Sequence, residues 1–449
     1  MKQMKANRER KAHREGRSLA GKPAPRAKKH IGWTRLDNAA KIFPPTSAKR
    51  DPKVFRFSCE LCEPVDPALL QEALDRSLPY FRGFRCVLRH GFFWYYLEAT
   101  DLSPKVHLED AHVCQPLYDR NEAGLLFDIS YYRCRINLEI YHALTDGTGA
   151  LEFLKALVCA YLSLAHPSLP KAPIQGTSHS EQMADSFQKY YDTARPKGDR
   201  LEPAHRIHGP RLPEDRQKVI EGILPVDKVL ALSKAHGGTL TAFLTALLIC
   251  SFLDGMTLWE RKRPVTVAVP VNLRNHFPSA SVRNFFGVTY IRYRQGQGPV
   301  DFEAVIASVS RQLRENLTKE RLQAHMNAMV SLEKNFLIRA VPLVLKDAIL
   351  RIGNSRNDFT VSAALSNLGK VTVPPAYVPY IRLFDVLTST NKIQTCLCSF
   401  QNNLVFTFTD PLVSADIQKY FFRSLARMGI PVTLVTSPLD EEATQHETL

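Results

Sequence analysis

The chain has 449 residues, 45% hydrophobic and 23% charged, the proportions of an ordinary globular protein, and its length suggests two or three domain-sized units. These values exclude a wholly disordered or fibrous chain. The net charge is +15, but residues 1–30 carry eleven Lys or Arg against two Glu, a balance of +9 that leaves only +6 for the rest. Those residues read as a disordered basic tail, at most a weak electrostatic contact with nucleic acid or an anionic membrane surface. No apolar core of a secretory signal follows the basic start, so the chain reads as cytoplasmic. The longest uncharged apolar run, 240–253, is too short to span a bilayer and reads as a buried helix.

Order is expected from Trp33. Residues 54–61 alternate as a strand, with Phe55, Phe57, Cys59 and Leu61 on one face and Arg56, Ser58 and Glu60 on the other. Asp66-Pro67 is an N-cap with proline at the first helical position, opening a helix that stops at Pro79. Strands over 83–89 and 92–98 meet at His90-Gly91 as a hairpin. A strand over 131–142 is followed by a helix from Thr148 that ends by Pro167.

Residues 165–217 are rich in Pro, His, Gly and charge and read as a linker, interrupted by a short amphipathic helix over 182–191. Helices are expected over 226–236 and 240–254, the second with Thr239 as N-cap and Gly255 near its stop. Strands follow over 264–270 and 286–293, then three helical stretches across 302–352. Strands return over 359–366, 382–388, 393–400 and 403–409, and a last helix covers 414–428. Cys59 and Cys62 have metal-type spacing, but on a strand that odd offset points them to opposite faces, and Cys396 and Cys398 have no second pair. No metal is expected.

The residues that invite chemistry lie in His142-Ala143-Leu144-Thr145-Asp146-Gly147. The alternation of its strand turns His142 inward, and the strand end puts the imidazole at a rim. Gly147 and Gly149 would allow a tight turn with unusual dihedrals. Asp146 reads as structural, fixing the loop by accepting backbone N–H bonds or by pairing with an arginine. Imidazole titrates near neutral pH, which suits a general base.

This segment resembles the HxxxDG motif of the chloramphenicol acetyltransferase-like acyltransferases. The family includes nonribosomal-peptide condensation domains, plant BAHD acyltransferases and bacterial alcohol acetyltransferase-like proteins, and the last group is the most similar. Leu36-Asp37-Asn38-Ala39-Ala40-Lys41, Phe92 to Leu97, Pro270-Val271-Asn272-Leu273-Arg274, Arg283-Asn284-Phe285-Phe286 and Ser366-Asn367-Leu368-Gly369 extend the resemblance over about residues 31–433. It implies an α/β fold of two similar lobes with mixed sheets and flanking helices around an active-site tunnel. The lobes would span 31–165 and 218–433, joined by a linker over 166–217, with an acidic flexible tail over 434–449.

By the same resemblance, His142 is the general base, and Asp146 pairs with Arg274, with Arg56 as the alternative partner. Ser366 and Asn367 are candidates for oxyanion support, against the plain reading of a turn after a strand. The reaction implied is transfer of an acyl group from acyl-CoA to a small alcohol or amine. The thioester would be a co-substrate rather than a bound cofactor. Alternatives are a carrier-protein thioester as donor, or a non-catalytic binding protein that retains the fold. Condensation domains usually have a second histidine where this chain has Tyr141, and the plant enzymes' DFGWG segment is missing. With no flanking carrier or adenylation module, the chain is expected to act alone, without specific nucleic-acid partners.

Overall fold

The alternating segment Val54–Leu61 is the spine of a five-stranded sheet. The computed structural model describes residues 32–109, 112–171, 184–192 and 202–436, so the basic tail lies outside the described residues. In chain order the first half gives β1 (Trp33–Arg35), the single turn α1 (Phe43–Thr46), β2 (Val54–Leu61) and α2 (Pro67–Ser77). The hairpin β3 (Cys86–His90) and β4 (Tyr95–Ala99) follows, then β5 (Val106–Leu108), β6 (Phe127–Tyr132), β7 (Arg135–Tyr141) and α3 (Gly147–Ala165). Asp66 caps α2 by accepting from the N–H groups of Ala68 and Leu69, with Pro67 at the first turn.

The segment expected as one strand over 131–142 is the second half of a hairpin. Strands β6 and β7 pair from Phe127↔Ile140 to Tyr132↔Arg135, and the chain reverses at Arg133, whose φ is 51°. The turn carries neither Gly nor Asn, the residues that ordinarily mark a positive-φ hairpin in a sequence.

Between the halves, α4 is a single turn, Ser186–Lys189, shorter than the helix expected over 182–191, whose first two residues lie outside the described ones. Phe187 of this turn is buried against Phe285, so this part of the linker is packed on the protein. The second half gives β8 (Lys218–Pro225), α5 (Val226–Ala235), α6 (Leu240–Asp254), β9 (Val265–Asn272), β10 (Phe286–Tyr293), α7 (Phe302–Asn316), α8 (Lys319–Lys334), the short α9 (Phe336–Ala340) and α10 (Leu343–Asp358). The three expected helical stretches are therefore four. After them come β11 (Ala363–Lys370), β12 (Ile381–Thr388), β13 (Gln394–Phe400), β14 (Asn403–Asp410), α11 (Asp416–Arg427) and β15 (Thr433–Thr436). Strand β15 pairs antiparallel with β8, so residues 434–436 form a sheet edge rather than the start of a tail; 437–449 lie outside the described residues.

The architecture is mixed α/β in two lobes. The first lobe's sheet runs β12-β2-β7-β6-β5 and the second's β10-β9-β11-β13-β14-β8-β15, with a small β1-β4-β3 sheet alongside. Strand β12 comes from the second half yet pairs antiparallel with β2, from Ile381↔Leu61 to Thr388↔Phe55. The pairing makes β2 an interior strand, and residues on both its faces are buried. Arg56 and Ser58, expected on a polar outer face, are buried and hydrogen-bonded to Glu139 and Asn137. Arg135 of β7 makes two parallel bonds of 2.7 Å to Glu221 of β8, a charged clamp between the lobes.

Helix α3 is apolar and long enough, by length and composition, to cross a bilayer. It instead packs as a core helix, with Phe153, Leu154, Leu157 and Val158 fully buried. Helix α6 is its counterpart in the second lobe, buried on every side from Ala242 to Leu253.

Candidate active site

Strand β7 ends at Tyr141, and the backbone N–H of the next residue, His142, donates to the carbonyl of Lys53 (2.8 Å). Four residues later Asp146 opens α3 as its N-cap. Its Oδ1 accepts from the N–H groups of Thr148 and Gly149, both at 3.1 Å. Its Oδ2 accepts from Arg274 Nη1 at 2.6 Å and from the N–H of Phe285 at 2.8 Å. One carboxylate thus closes the first lobe's helix and holds two points of the second lobe. Arg274 is fixed in turn by donating to the carbonyls of Ser281 and Arg283. Arg56, the alternative partner for Asp146, is bound instead to Glu139 and Glu109.

The glycines of the turn have a different role from the one expected. Neither Gly147 nor Gly149 has positive φ. Gly149 is needed because the second lobe comes too close for any side chain: a Cβ there would lie 2.2 Å from Thr145 Oγ1 and 2.2 Å from the carbonyl oxygen of Val282. A Cβ at Gly147 would meet Leu368 Cδ1 at 2.7 Å. Thr145 Oγ1 donates to the same Val282 carbonyl, and Asn272 Nδ2 to Thr148 Oγ1 (3.2 Å). The motif therefore locks the start of α3 onto residues 272–286.

His142 is held on both sides. Its ring stacks on Phe43 (centroids 4.5 Å apart, 19° between planes) and meets Phe55 edge-on at 4.9 Å and Phe286 at 5.4 Å. Nδ1 faces Asn284 Oδ1 at 3.1 Å. Asn284 in turn donates Nδ2 to Asp37 Oδ2 (3.2 Å), and Asp37 Oδ1 accepts from the N–H of Ala40 (2.7 Å). A carboxylate only accepts, so Asp37 fixes which end of the Asn284 amide faces the histidine. The amide oxygen then assigns the proton to Nδ1 and leaves Nε2 with the lone pair. Asp37 is fully enclosed; burial pushes its carboxyl up, opposed by the Arg283 guanidinium 3.5 Å away.

Burial lowers the His142 pKa below its ordinary 6.5, while a bond to its own backbone carbonyl, then Asp146 and the Asn284 bond, pull it part of the way back. The ring is surrounded by protein yet keeps partial exposure, because its open side is the wall of a cavity. The cavity has a volume of about 270 Å³. The first lobe contributes Phe43, Phe55 and His142, the second Pro270, Phe286 and Ser366, and β12 with the loop after it lines a further side through Leu387 to Thr390.

Ser366 and Asn367 both border this cavity. They stand within β11, not in a turn after it; the register with β13 shifts between Asn367 and Lys370, and Gly369 takes φ 76° in that bulge. The Asn367 amide is already committed, donating to Thr241 Oγ1 (2.9 Å) and accepting from the N–H of Gly369 (2.8 Å). Tyr141 points away, its hydroxyl 2.9 Å from Ser47 Oγ and its ring stacked on Tyr118. Among the described residues, no group of three His, Cys, Asp or Glu side chains could hold a metal ion.

Sequence reasoning gave no role to Asn284, Asp37 or Phe43, although the first two stand in segments that carry the family resemblance. Strand alternation cannot reveal a contact between residues 142 apart in the chain.

No protein-family model matches the sequence, and no curated protein matches it. Solved structures do. TRI101 of F. sporotrichioides, complexed with coenzyme A and T-2, superposes with a TM-score of 0.58 at 12% identity over 90% of this chain and 99% of that one. The trichothecene 15-O-acetyltransferase TRI3 of Fusarium sporotrichioides gives 0.57 at 11% identity, over 88% and 94%. The first condensation domain of the CDA synthetase gives 0.53 at 16%, over 86% and 92%. The fold is shared with these acetyltransferase and condensation-domain structures.

Proposed function

We propose that the chain transfers an acyl group from a thioester, acyl-CoA in the first instance, to the hydroxyl or amine of a small acceptor. The observation that carries this reading is His142 on the wall of a cavity shared by the two lobes, its Nδ1 3.1 Å from the Asn284 amide oxygen, a contact that suits a proton on Nδ1 and a free Nε2. Nε2 would take the proton of the acceptor as its oxygen or nitrogen attacks the thioester carbonyl. The tetrahedral intermediate would collapse with cleavage of the C–S bond, and the imidazolium would return the proton to the departing thiolate. Ser366 stands on the cavity wall as the candidate donor to the oxyanion. The aromatic lining by Phe43, Phe55 and Phe286 suits an apolar acceptor or acyl chain. Coenzyme A in the TRI101 complex supports the choice of donor, and the condensation-domain likeness makes a carrier-protein thioester the variant to compare.

The test is release of free thiol from a panel of acyl-CoA donors with pooled alcohols and amines. The parent should turn over at least one pair, and His142→Ala should lower that rate by about 10²–10⁴-fold with the melting temperature little changed. Parent-rate turnover in a folded His142→Ala variant would overturn the mechanism. Turnover only with a carrier-bound thioester would replace the donor.

A further inference from the structure

Helix α10 is inside out. Val344, Leu345, Ile349 and Ile352 recur on one face, and that face is turned to solvent, with exposures of 78%, 56%, 64% and 57%. The inward face carries a carboxylate, Asp347, which is buried and accepts from the Tyr95 hydroxyl at 2.7 Å and from Arg120. A soluble amphipathic helix ordinarily buries its apolar stripe, so this one presents an unpartnered surface.

Two further elements extend it. Phe336 of α9, just before α10, is 79% exposed. Phe92, at the tip of the β3–β4 hairpin, is 72% exposed, and its carbonyl accepts from the N–H of Leu343, which ties the tip to the start of α10 (2.8 Å). Lys346 Nζ donates to the carbonyl of Phe93 beside it (3.0 Å). Between Glu333 and Asp358, acids already paired with Lys41 and Lys392, the charge is mostly basic. Residues 334–357 hold five Lys or Arg and a single acid, and that acid is the buried Asp347. Lys334, Arg339, Arg351 and Arg356 are exposed.

We propose that the face formed by α10, α9 and the β3–β4 tip docks on an anionic lipid bilayer. Exposed aliphatic and aromatic side chains within a basic rim are the composition of an element that lies in the interface, apolar groups among the acyl chains and cations among the headgroups. A second copy of this chain is the poorer occupant, because self-association through this face would set one basic rim against another. The docked face also adjoins the cavity wall: Arg351 Nε of α10 donates to the carbonyl of Pro45 in α1 (2.7 Å), and Phe43 of α1 stacks on His142.

The experiment is flotation of the full-length chain with vesicles of phosphatidylcholine alone and of phosphatidylcholine with phosphatidylglycerol. It compares the parent, Val344→Asp/Ile349→Asp and Arg339→Glu/Arg356→Glu, with sedimentation velocity on each. The parent should float with the anionic vesicles, and each double variant should bind them less, on the order of tenfold, with an unchanged melting temperature. A contact made by the basic residues 1–30 alone would survive both pairs of substitutions, so equal flotation of parent and variants overturns the proposal. So does a parent that does not float, or a parent dimer that the aspartate variant dissociates. If the aspartate variant fails to fold, the arginine variant decides.

Discussion

The substitution Asp146→Asn separates architecture from chemistry at this site. Asparagine caps helices as well as aspartate does, so the bonds to Thr148 and Gly149 can persist through Oδ1. The other end of the side chain becomes an NH₂ group facing Arg274 Nη1 and the N–H of Phe285, donor against donor at positions now 2.6 and 2.8 Å apart. The paired side chains are only 10% and 6% exposed, so little solvent replaces what is lost. Breaking such a pair costs about 3–5 kcal/mol, a range that absorbs the smaller penalty of an orphaned backbone N–H. With an unfolding entropy of about 2.1 cal/mol/K per residue, a chain of this length has about 0.9 kcal/mol/K, so the melting temperature should fall by about 3–5 °C. Thiol release and scanning calorimetry on one preparation read both effects. Arg274→Gln should show a comparable loss, and the double variant should cost less than the two singles together, by about 0.5–3 kcal/mol. An unchanged melting temperature with turnover abolished would place Asp146 in the chemistry and refute the architectural role.

Asn284→Ala should lower kcat/KM by about 5–150-fold, the equivalent of roughly 1–3 kcal/mol. Because the Asn284 bond raises the His142 pKa, the acid limb of the pH–rate profile should also move to lower pH; a purely structural loss would leave that limb in place. In the parent, the rate should fall only below pH 6.5, through the lowered pKa of His142, since the protonated ring cannot act as a base. In the same window the unfolded chain binds a proton that the native imidazole does not, so acidification costs stability there and His142→Ala should flatten the slope, as urea titrations at stepped pH would show. Gly149→Ala should destabilise by about 1–3 kcal/mol, because the Val282 carbonyl that blocks its Cβ belongs to the backbone; a parent-like melting temperature would contradict that contact.

The sequence by itself determined the local elements and the identity of the central residues. Alternation located β2, capping residues marked α2 and α6, and His142 with Asp146 stood out through their spacing and their resemblance to a known motif. These are short-range signals, legible because period and cap chemistry repeat within a few residues. It could not show the hairpin at Arg133, whose backbone reversal uses no turn residue, or the outward apolar face of α10, because periodicity gives a stripe but not the side it faces. It also could not show that β12 crosses into the first sheet, or that Arg56 is buried against Glu139 and Glu109. The close approach that requires Gly149 and the path from Asp37 through Asn284 to His142 were decided by tertiary structure alone, which also bears out Arg274, the first choice of the resemblance, as the partner of Asp146. Each joins groups from distant parts of the chain, and only the packing of one lobe on the other brings a donor within 3 Å or so of its acceptor.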